Sequence, residues 1–426
     1  MVVGGGGREH ALAWKLAKEF DLVYCAPGNA GTSRIGNCKN VRIPATDIQG
    51  LVDFAEKERI DLTIVGPEAP LSMGIADEFK KKGLKIFGPT KNAARLESSK
   101  AFAKEHCRLY GIPTPDYAIY HHFKDALDHY SKHGGKIVTK ADGLAGGKGV
   151  EFPNDYRQIV NSLRGMMLRS KYGDAGNVVI IEKRCSGEEL SEIGLSDGFD
   201  YMGLATSQDH KRLCDGDGGP NTGGMGAYSP APAAKGHEKQ IKEMMVTAIR
   251  GMEEIDIPYH GALYGGIMIT PEGLKVLEFN SRFGDPETQP VIYRMKSGLA
   301  DYLFAAAEGS LKRKRPIKWD PRPAVCVVLS SFGYPEEPWK GKMITGLYDV
   351  EKMDDVFAFH AGTSLGDDGN IYTNGGRVLG VTALGRYEND FQGAIDRAYD
   401  AVDRINFVGK HFRKDIGQRA LNRQLD

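Results

Sequence analysis

The part of this sequence best suited to chemistry is a strand that ends in oxygen-bearing side chains. Alternation along LKVLEFN, residues 274–280, predicts that Glu278 and Asn280 leave one face of the strand together, the face that also carries Leu274 and Val276. A carboxylate and an amide oxygen are hard ligands, and Mg²⁺ usually binds through one or two carboxylates plus substrate phosphates. We therefore expect a shared metal ion here. The alternative is an edge strand that ends in an ordinary polar turn.

The residues that follow this strand place charges in a tight loop. Arg282, Asp285 and Glu287 come at short intervals, and Gly284 and Pro286 favour a turn between them.

A glycine-rich segment gives a second chemical signal. IVTKADGLAGGKGV, residues 137–150, predicts a strand bearing Lys140 and then a loop with Lys148 among glycines. It is not a P-loop, because Gly149 stands where the Mg²⁺-binding Ser or Thr should follow the lysine. We expect a glycine flap that closes over phosphates with two lysines, in preference to a plain hairpin.

The amino terminus predicts a strand, a glycine turn and a helix. Val2 and Val3 lead into Gly4–Gly7, and apolar residues then recur at helical spacing through Leu12, Leu16 and Phe20. Glycines at a helix start suit a phosphate. A dinucleotide fold is disfavoured, because the second strand, 22–26, runs into PGNAG with no acidic residue to hold a ribose.

The remainder of the first 95 residues alternates between helices and strands. The pattern predicts a helix at 49–58, a strand at 62–65, a loop at 66–74, a helix through Ile75 and Phe79, and a strand at 84–87. This indicates a parallel α/β sheet, in which ligands sit outside the carboxyl ends of strands. The loops 4–7, 28–31 and 66–74 would then form a pocket for a phosphorylated substrate, unless their glycines only make turns.

The middle of the chain carries further candidates. A helix at 92–110 contains Lys100 and Lys104, each of which alone resembles a solvated charge. A buried strand at 178–182 leaves the backbone of 183–185 free to bond an adenine edge, with Glu188 or Glu189 spaced to reach a ribose.

The long Gly- and Asp-rich stretch 209–232 predicts an ordered functional loop.

The remaining elements complete the fold prediction. Helices are expected near 237–255 and 290–308, and strands at 262–269 and 274–280. The carboxy-terminal part predicts strands at 325–330 and 356–360, a hairpin of 371–373 with 377–382 through Asn374, Gly375 and Gly376, and a helix at 394–405.

Composition limits the class of protein. A chain of 426 residues predicts two to four domains, and 56 Lys+Arg against 56 Asp+Glu argues against a nucleic-acid binder. The sequence has no run of 18 apolar residues, and Arg8, Glu9 and His10 stand where a signal peptide would be apolar. We expect a cytoplasmic protein with no membrane partner. The six cysteines show no CxxC spacing and are expected to be reduced structural thiols.

Several strings together resemble one family over essentially the whole chain. They are GGGGREHALAW at 4–14, PGNAG at 27–31, GPEAPL at 66–71, KADGLAGGKGV at 140–150, DGDGGPNTGGMGAYSP at 215–230, RFGDPETQ at 282–289 and FHAGT at 359–363. The chain resembles the phosphoribosylamine–glycine ligase family, also called glycinamide ribonucleotide synthetases, which has the ATP-grasp fold.

The resemblance implies both an architecture and a reaction. The architecture is an α/β ATP-grasp enzyme with an amino-terminal parallel α/β domain at 1–95, a two-part ATP-grasp core at 96–322 with a flap subdomain at about 117–187, and a small carboxy-terminal α/β domain at 323–426. The reaction is ATP-dependent ligation of glycine to 5-phosphoribosylamine through glycyl phosphate, giving glycinamide ribonucleotide, ADP and phosphate in purine biosynthesis. A monomer is expected.

The resemblance also assigns residues by motif. The nucleotide would be held by Lys100, Lys140, Gly146, Gly147, Lys148, Glu182, Lys183, Cys185 and Glu189. Mg²⁺ or Mn²⁺ would be held by Glu278 and Asn280. The reaction centre would be lined by Asp217, Asn221, Thr222, Arg282 and Asp285. Phosphoribosylamine would be received by Gly6, Gly7, Gly28, Asn29, Ala30, Gly31, Pro67 and Glu68.

Two other classes remain as alternatives. Another ATP-grasp carboxylate ligase or a biotin-dependent carboxylase subunit is disfavoured by the NTGGMG and RFGDPE strings. A non-catalytic nucleotide sensor would keep adenine contacts but would not need Glu278, Asn280, Arg282 and Asp285 together.

Overall fold

The computed structural model describes residues 1–425, with side chains described for all of these except 132, 133, 424 and 425. The chain forms an α/β protein whose amino-terminal unit is a parallel sheet. Its strands are β1 (Val2–Gly4), β2 (Val23–Pro27), β3 (Cys38–Asn40), β4 (Thr63–Val65) and β5 (Ile86–Phe87). They pair in the order β3-β2-β1-β4-β5, all in parallel, as the alternating pattern predicts.

The helices of this unit are α1 (Gly7–Leu16), α2 (Ile48–Lys57), α3 (Glu68–Met73) and α4 (Ile75–Lys81). The prediction of a loop at 66–74 is wrong, because α3 occupies most of it. Pro67 is the N-cap, and Pro70 falls in the first turn, where backbone N–H groups have no partner within the helix and a proline is tolerated.

The chain next forms two short helices, α5 (Arg95–Ser98) and α6 (Lys100–Leu109). The single helix predicted at 92–110 is therefore wrong. Ser99 breaks it with extended backbone (φ −139°, ψ 105°), and its hydroxyl accepts the N–H of Phe102 as the N-cap of α6.

The flap subdomain is an antiparallel sheet with two helices. Its elements are β6 (Tyr117–Tyr120), α7 (Phe123–His133), β7 (Ile137–Ala141), β8 (Val150–Glu151), α8 (Tyr156–Met167) and β9 (Val179–Lys183). The strands pair in the order β6-β9-β7-β8. This order places the turn between β7 and β8 at the edge of the sheet, where the glycine loop can lie over a ligand.

The larger part of the core follows. Its elements are β10 (Glu188–Asp197), β11 (Tyr201–Gly203), β12 (Gln208–Asp209), β13 (Arg212–Cys214), β14 (Gly218–Asn221), β15 (Gly226–Ser229), α9 (Glu238–Glu254), β16 (His260–Thr270), β17 (Gly273–Asn280), α10 (Thr288–Arg294) and α11 (Ala300–Glu308). The main sheet has the order β11-β10-β16-β17. The single helix predicted at 290–308 is in fact two helices. The backbone becomes extended at Met295, which forms an isolated β-bridge with Trp319.

The carboxy-terminal unit comprises β18 (Ala324–Ser330), α12 (Leu347–Glu351), β19 (Val356–His360), β20 (Thr363–Leu365), β21 (Ile371–Thr373), β22 (Arg377–Leu384), α13 (Phe391–Arg404) and α14 (Gln418–Leu425). Its sheet, β12-β15-β18-β22-β19, takes two strands from the 208–229 stretch. The hairpin predicted for 371–382 is wrong. β21 pairs with β20 instead, and β22 lies between β18 and β19.

The units are joined through buried contacts. α1 packs against α10, where Trp14 meets Tyr293 with ring centroids 5.4 Å apart and the ammonium of Lys15 donates to the carbonyl of Met295 at 2.5 Å. Across residues 1–425, none of the helices combines the length and apolar character needed to cross a bilayer.

Candidate active site

One cavity of about 580 Å³ collects most of the predicted site residues. It lies where the flap, the main sheet and the loop of residues 281–287 after β17 meet. We call residues 281–287 the reaction loop, after their predicted role. Of the predicted residues, those that line it are Glu68, Lys100, Lys140, Gly146, Gly147, Glu182, Lys183, Cys185, Glu189, Asp217, Asn221, Thr222, Glu278, Asn280, Arg282 and Asp285.

The strand that carries Glu278 and Asn280 contains a β-bulge. Gly266 pairs with Glu278 while Ile267 pairs with Val276, so Leu277 is the extra residue. Leu274, Val276 and Phe279 all enter the same core cluster as a result. The predicted face was therefore wrong in one respect: Glu278 and Asn280 do leave together, but on the face opposite Leu274 and Val276.

A lysine that the sequence did not single out lies against this strand. The ammonium of Lys211 is 2.5 Å from a carboxylate oxygen of Glu189 and 3.4 Å from one of Glu278. Burial would raise the pKa of Glu278, but Lys211, Lys140 and Lys100 outweigh burial and lower that pKa to about 2. Glu278 is thus ionised at neutral pH.

The donor set at the end of β17 fits a hard divalent cation. Glu278 offers an ionised carboxylate, and Asn280 offers an amide oxygen that lies 3.4 Å from a guanidinium nitrogen of Arg282. No group of three or more His, Cys, Asp or Glu side chains arranged to hold a metal occurs in the described part of the chain. A cation here would therefore complete its shell with substrate phosphates and water, as Mg²⁺ commonly does.

Around the predicted nucleotide site, Lys104 and Lys140 are buried and Lys100 is half-buried, so the reading of Lys100 and Lys104 as solvated charges is wrong. Lys104 and Lys140 flank Glu182, with nitrogen–oxygen distances of 3.2 and 2.9 Å. The ammonium of Lys100 donates to the carbonyl of Gly143 at 3.1 Å. Burial lowers the pKa of both Lys100 and Lys104. Lys100 and Lys104 both lie in α6, and the break at Ser99 directs this helix toward the core.

The glycine loop bends over the cavity. Gly146 and Gly147 line it with left-handed backbone (φ 57° and 75°), which glycine adopts without strain. Lys148 is exposed and is not among the lining residues. The structure therefore does not bring Lys148 to the other predicted nucleotide residues.

The predicted adenine segment is only partly free. The N–H groups of Lys183 and Arg184 donate to the carbonyls of Asp116 and Lys136, each at 2.9 Å. The expectation that the whole 183–185 backbone is free was therefore wrong, because β9 extends its pairing by two residues. Cys185 lines the cavity and is half-buried.

The two candidate ribose ligands have different partners. Glu188 is engaged by Arg423, 2.5 Å away, and by the amide of Gln208 at 3.1 Å. Glu189 instead faces Lys211 on the inner side of the cavity. This arrangement favours Glu189 as the residue that reaches a ligand.

The reaction loop is held by acids from other parts of the chain. A guanidinium nitrogen of Arg282 lies 3.2 Å from Glu97, and another lies 3.6 Å from Glu68. Glu97 also accepts the N–H and hydroxyl of Ser281 at 2.8 and 2.9 Å. Burial raises the pKa of Glu97. For Glu68, burial would raise the pKa, but Arg282 and Arg8 outweigh it and lower it.

The 209–232 stretch is ordered, as predicted, and hydrogen bonds and ion pairs hold its predicted site residues in place. The hydroxyl of Thr222 donates to the carbonyl of Lys211 and accepts the N–H of Gly224, both at 3.0 Å. Asp217 is paired with Arg413 at 3.0 Å and with Arg419. Asn221 ends β14 and lines the cavity.

The amino-terminal glycine loops lie next to this cavity rather than along it. Their residues that are absent from its lining are Gly6, Gly7, Gly28, Asn29, Ala30, Gly31 and Pro67. A Cβ built on Gly6 would lie 3.4 Å from a carboxylate oxygen of Asp285, so the first loop does adjoin the reaction loop. The amide of Asn29 donates to the carbonyls of Gly5 and His360, at 2.9 and 2.8 Å, and so braces the loop.

The sequence reasoning missed several residues of the site. Those that line the cavity or contact its predicted members are Arg8, Glu97, Lys104, Asp209, Lys211, Glu287, Arg377 and Arg419. Glu97 meets Ser281 across 184 residues of chain. No local pattern marks such a contact, whereas the string DHKR next to a glycine-rich stretch was a signal that Lys211 could be in a site.

A glycine flap and buried lysines that face a Glu–Asn strand across one cavity define an ATP-grasp ligase. The domain models of phosphoribosylglycinamide synthetase match in sequence order: the N domain over residues 1–97, the ATP-grasp (A) domain over 98–288 and the C domain over 324–419. The chain belongs to the phosphoribosylglycinamide synthetase family.

Individual relatives agree with this membership. The chain is 49% identical over 428 residues to the phosphoribosylamine–glycine ligase of Ralstonia nicotianae, with 99% of each chain covered. It is 47% identical over 431 residues to that of Xanthomonas campestris pv. campestris, covering 100% of this chain and 99% of the relative. The crystal structure of phosphoribosylamine–glycine ligase from Thermotoga maritima superposes with a TM-score of 0.84 at 32% identity, over 97% of this chain and 98% of that chain.

Proposed function

We propose that this chain joins glycine to 5-phosphoribosylamine with ATP, giving glycinamide ribonucleotide, ADP and phosphate for purine biosynthesis. One observation carries the proposal. A single cavity places the flap glycines and the buried lysines opposite Glu278 and Asn280, with Arg282 and Asp285 directly beyond them.

In the first step, the glycine carboxylate attacks the γ-phosphorus of ATP. A bond forms between a carboxylate oxygen and phosphorus, the bond from that phosphorus to the bridging oxygen breaks, and ADP leaves. Lys100 and Lys140 neutralise the phosphates, and Arg282 faces the transferred group. Gly146 and Gly147 cover the reacting atoms and exclude water, which would otherwise hydrolyse the acyl phosphate.

In the second step, the amine of phosphoribosylamine attacks the carbonyl carbon of glycyl phosphate. The carbon–oxygen bond to phosphate breaks, and the phosphate leaves with the proton that the amine gives up. Asp285 orients the amine by accepting an N–H hydrogen bond. Burial would raise the pKa of Asp285, but Arg377 and Arg8 outweigh it and lower that pKa, so the group is an acceptor at neutral pH.

The metal and the nucleotide have distinct ligands in this proposal. Glu278 and Asn280 would hold Mg²⁺ or Mn²⁺, which when bound would neutralise charge on the phosphates. Glu182, Lys183, Cys185 and Glu189 form the adenosine end of the site. The N–H of Cys185 serves the adenine edge, since those of Lys183 and Arg184 are already bonded. Lys148 joins the phosphates only if the flap moves inward.

The remaining assignments extend around the cavity. Asp217, Asn221 and Thr222 line the side next to the reaction loop. The 5-phosphate of phosphoribosylamine lies against the loops formed by Gly6, Gly7, Gly28, Asn29, Ala30, Gly31, Pro67 and Glu68, where α1 begins at Gly7 and supplies free N–H groups. The enzyme acts as a cytoplasmic monomer without nucleic acid.

A substrate-omission assay tests the proposal. ADP release is measured with all three substrates, then without glycine, and then without phosphoribosylamine. The proposal requires glycine for any sustained ADP release and both substrates for full turnover. ATP turnover that is indifferent to both omissions would sink it, and would favour a different nucleotide-using protein.

A further inference from the structure

We propose that Arg377 is a positioning residue of this ligase, through which the carboxy-terminal unit fixes two loops of the reaction centre at once. The inference rests on the proposed function, and it concerns a residue that does not line the cavity itself.

Arg377 begins β22 and points at the reaction loop. One guanidinium nitrogen donates to the carbonyl of Asp285 at 2.7 Å, and a second lies 3.2 Å from the Asp285 carboxylate. The backbone and the side chain of Asp285 are therefore both held by the same planar group. Arginine suits this task because its donors are arranged in a rigid fork.

The same guanidinium holds a second loop. The nitrogen that reaches the carbonyl of Asp285 also donates to the carbonyl of Gly223, at 2.5 Å. Gly223 directly follows Asn221 and Thr222, so its position sets where those side chains lie. One side chain of the carboxy-terminal unit thus joins the segment before β15 to the loop after β17.

Tyr334 binds the N–H of Gly223, whose carbonyl is bound by Arg377. Its hydroxyl accepts the N–H of Gly223 at 2.9 Å, so both polar backbone groups of this glycine are bound by the carboxy-terminal unit. A Cβ built on Gly376 would lie 2.3 Å from the ring of Tyr334, so glycine is required there for the ring to take this position. We call Arg377 and Tyr334 the Gly223 clamp.

The arrangement predicts a selective kinetic defect. The nucleotide contacts of Lys140, Glu182 and Cys185 involve neither member of the clamp, so loss of the clamp should leave ADP binding intact. Displacement of Asp285 and the Asn221–Gly223 segment by a fraction of an ångström to an ångström should slow the chemical steps, because a misplacement of that size can cost about 100-fold in rate.

Steady-state kinetics and ADP binding on three variants test the inference. Arg377→Gln should lower kcat about 100-fold, and Tyr334→Phe, which removes one hydroxyl, about 10-fold. The dissociation constant for ADP should stay within about twofold of wild type in both. Arg322→Gln is the matched control, because Arg322 pairs with Asp320 and with Asp355 of the carboxy-terminal unit and does not line the cavity.

The outcomes are separable. Turnover by the wild-type protein tests the proposed function on its own, whatever the variants do. If Arg377→Gln does not fold, Tyr334→Phe decides. The inference is overturned if the folded variants turn over within about threefold of Arg322→Gln, or if ADP binding weakens in proportion to the fall in kcat.

Discussion

The ammonium nitrogen of Lys211 lies 3.4 Å from a carboxylate oxygen of Glu278. A carboxylate that is to bind a metal ion would be expected to face open space instead. Lys211 also pairs with Glu189 at 2.5 Å, so one cation serves the proposed metal ligand and the proposed ribose ligand together. This ammonium therefore holds both carboxylates in place before any nucleotide binds. Under the proposed assignment, a divalent cation at Glu278 and a ribose at Glu189 would compete with this ammonium for the two carboxylates.

Glu278→Gln should cripple metal-dependent turnover in a protein that still folds, although with a lower unfolding free energy. The amide keeps the shape of the side chain but removes the charge that attracts a cation, and we expect kcat to fall at least about 100-fold. Steady-state ADP release and thermal unfolding measure the two effects. Glu272→Gln is the control, since Glu272 is an exposed acid at the turn between β16 and β17 that pairs with Lys275. Wild-type turnover in Glu278→Gln would remove the metal assignment.

The depressed pKa of Glu278 should appear as acid sensitivity. A carboxylate with a folded pKa of about 2 and an ordinary value of 4.5 stabilises the fold fully above pH 4.5, and this contribution is lost as pH falls through 2. The difference in unfolding free energy between wild type and Glu278→Gln should shrink by about 2–3 kcal/mol between neutral pH and pH 2. Urea titrations across this range measure it, and parallel curves would refute the shift.

Glu182 should be important for stability as well as for the nucleotide site. It lies between the buried ammonium groups of Lys104 and Lys140, so Glu182→Gln would leave two cations without their counter-ion. We expect a loss of about 3 kcal/mol of unfolding free energy. Glu105→Gln, at an exposed acid paired with Arg108 on the same helix, should cost under about 1 kcal/mol. Equal losses in the two variants would contradict the buried arrangement.

Nucleotide should protect one cysteine from alkylation. Cys185 lines the cavity, while Cys214 lies exposed in β13 and serves as the internal control. Burial raises the pKa of the Cys185 thiol, so labelling should speed up as pH rises. With Mg²⁺ and ADP present, mass spectrometry of peptides should show slower labelling at Cys185 alone. Unchanged labelling of Cys185 at saturating ADP would mean that adenine lies elsewhere.

Local patterns predicted much of the fold. The parallel sheet of β1 to β5 follows from short buried strands separated by helices, a signal contained within about ninety residues. The glycine flap and the Glu–Asn strand were likewise local. Residue type and spacing restrict what these two segments can bind, so a chemistry could be predicted for each of them.

Long-range contacts account for what could not be predicted. The bulge at Leu277 leaves its carbonyl to accept the ammonium of Lys140 at 3.0 Å, a contact across 137 residues. Asn374 and the two glycines after it carry a strong turn signal, yet they do not close a hairpin. The N–H of Asn374 donates to the carbonyl of Gly362 instead, and β22 pairs with β18 and β19. Lys211 and Glu97 likewise acquire their roles only when distant segments meet.

Transfer of oxygen from glycine to phosphate tests the central claim most directly. With glycine labelled by ¹⁸O in its carboxylate, turnover should give inorganic phosphate that carries one labelled oxygen, because the acyl–oxygen bond of glycyl phosphate breaks when the amine attacks. Mass spectrometry of the phosphate measures this. Unlabelled phosphate, formed with normal yields of ADP and glycinamide ribonucleotide, would contradict activation of the glycine carboxylate at this site.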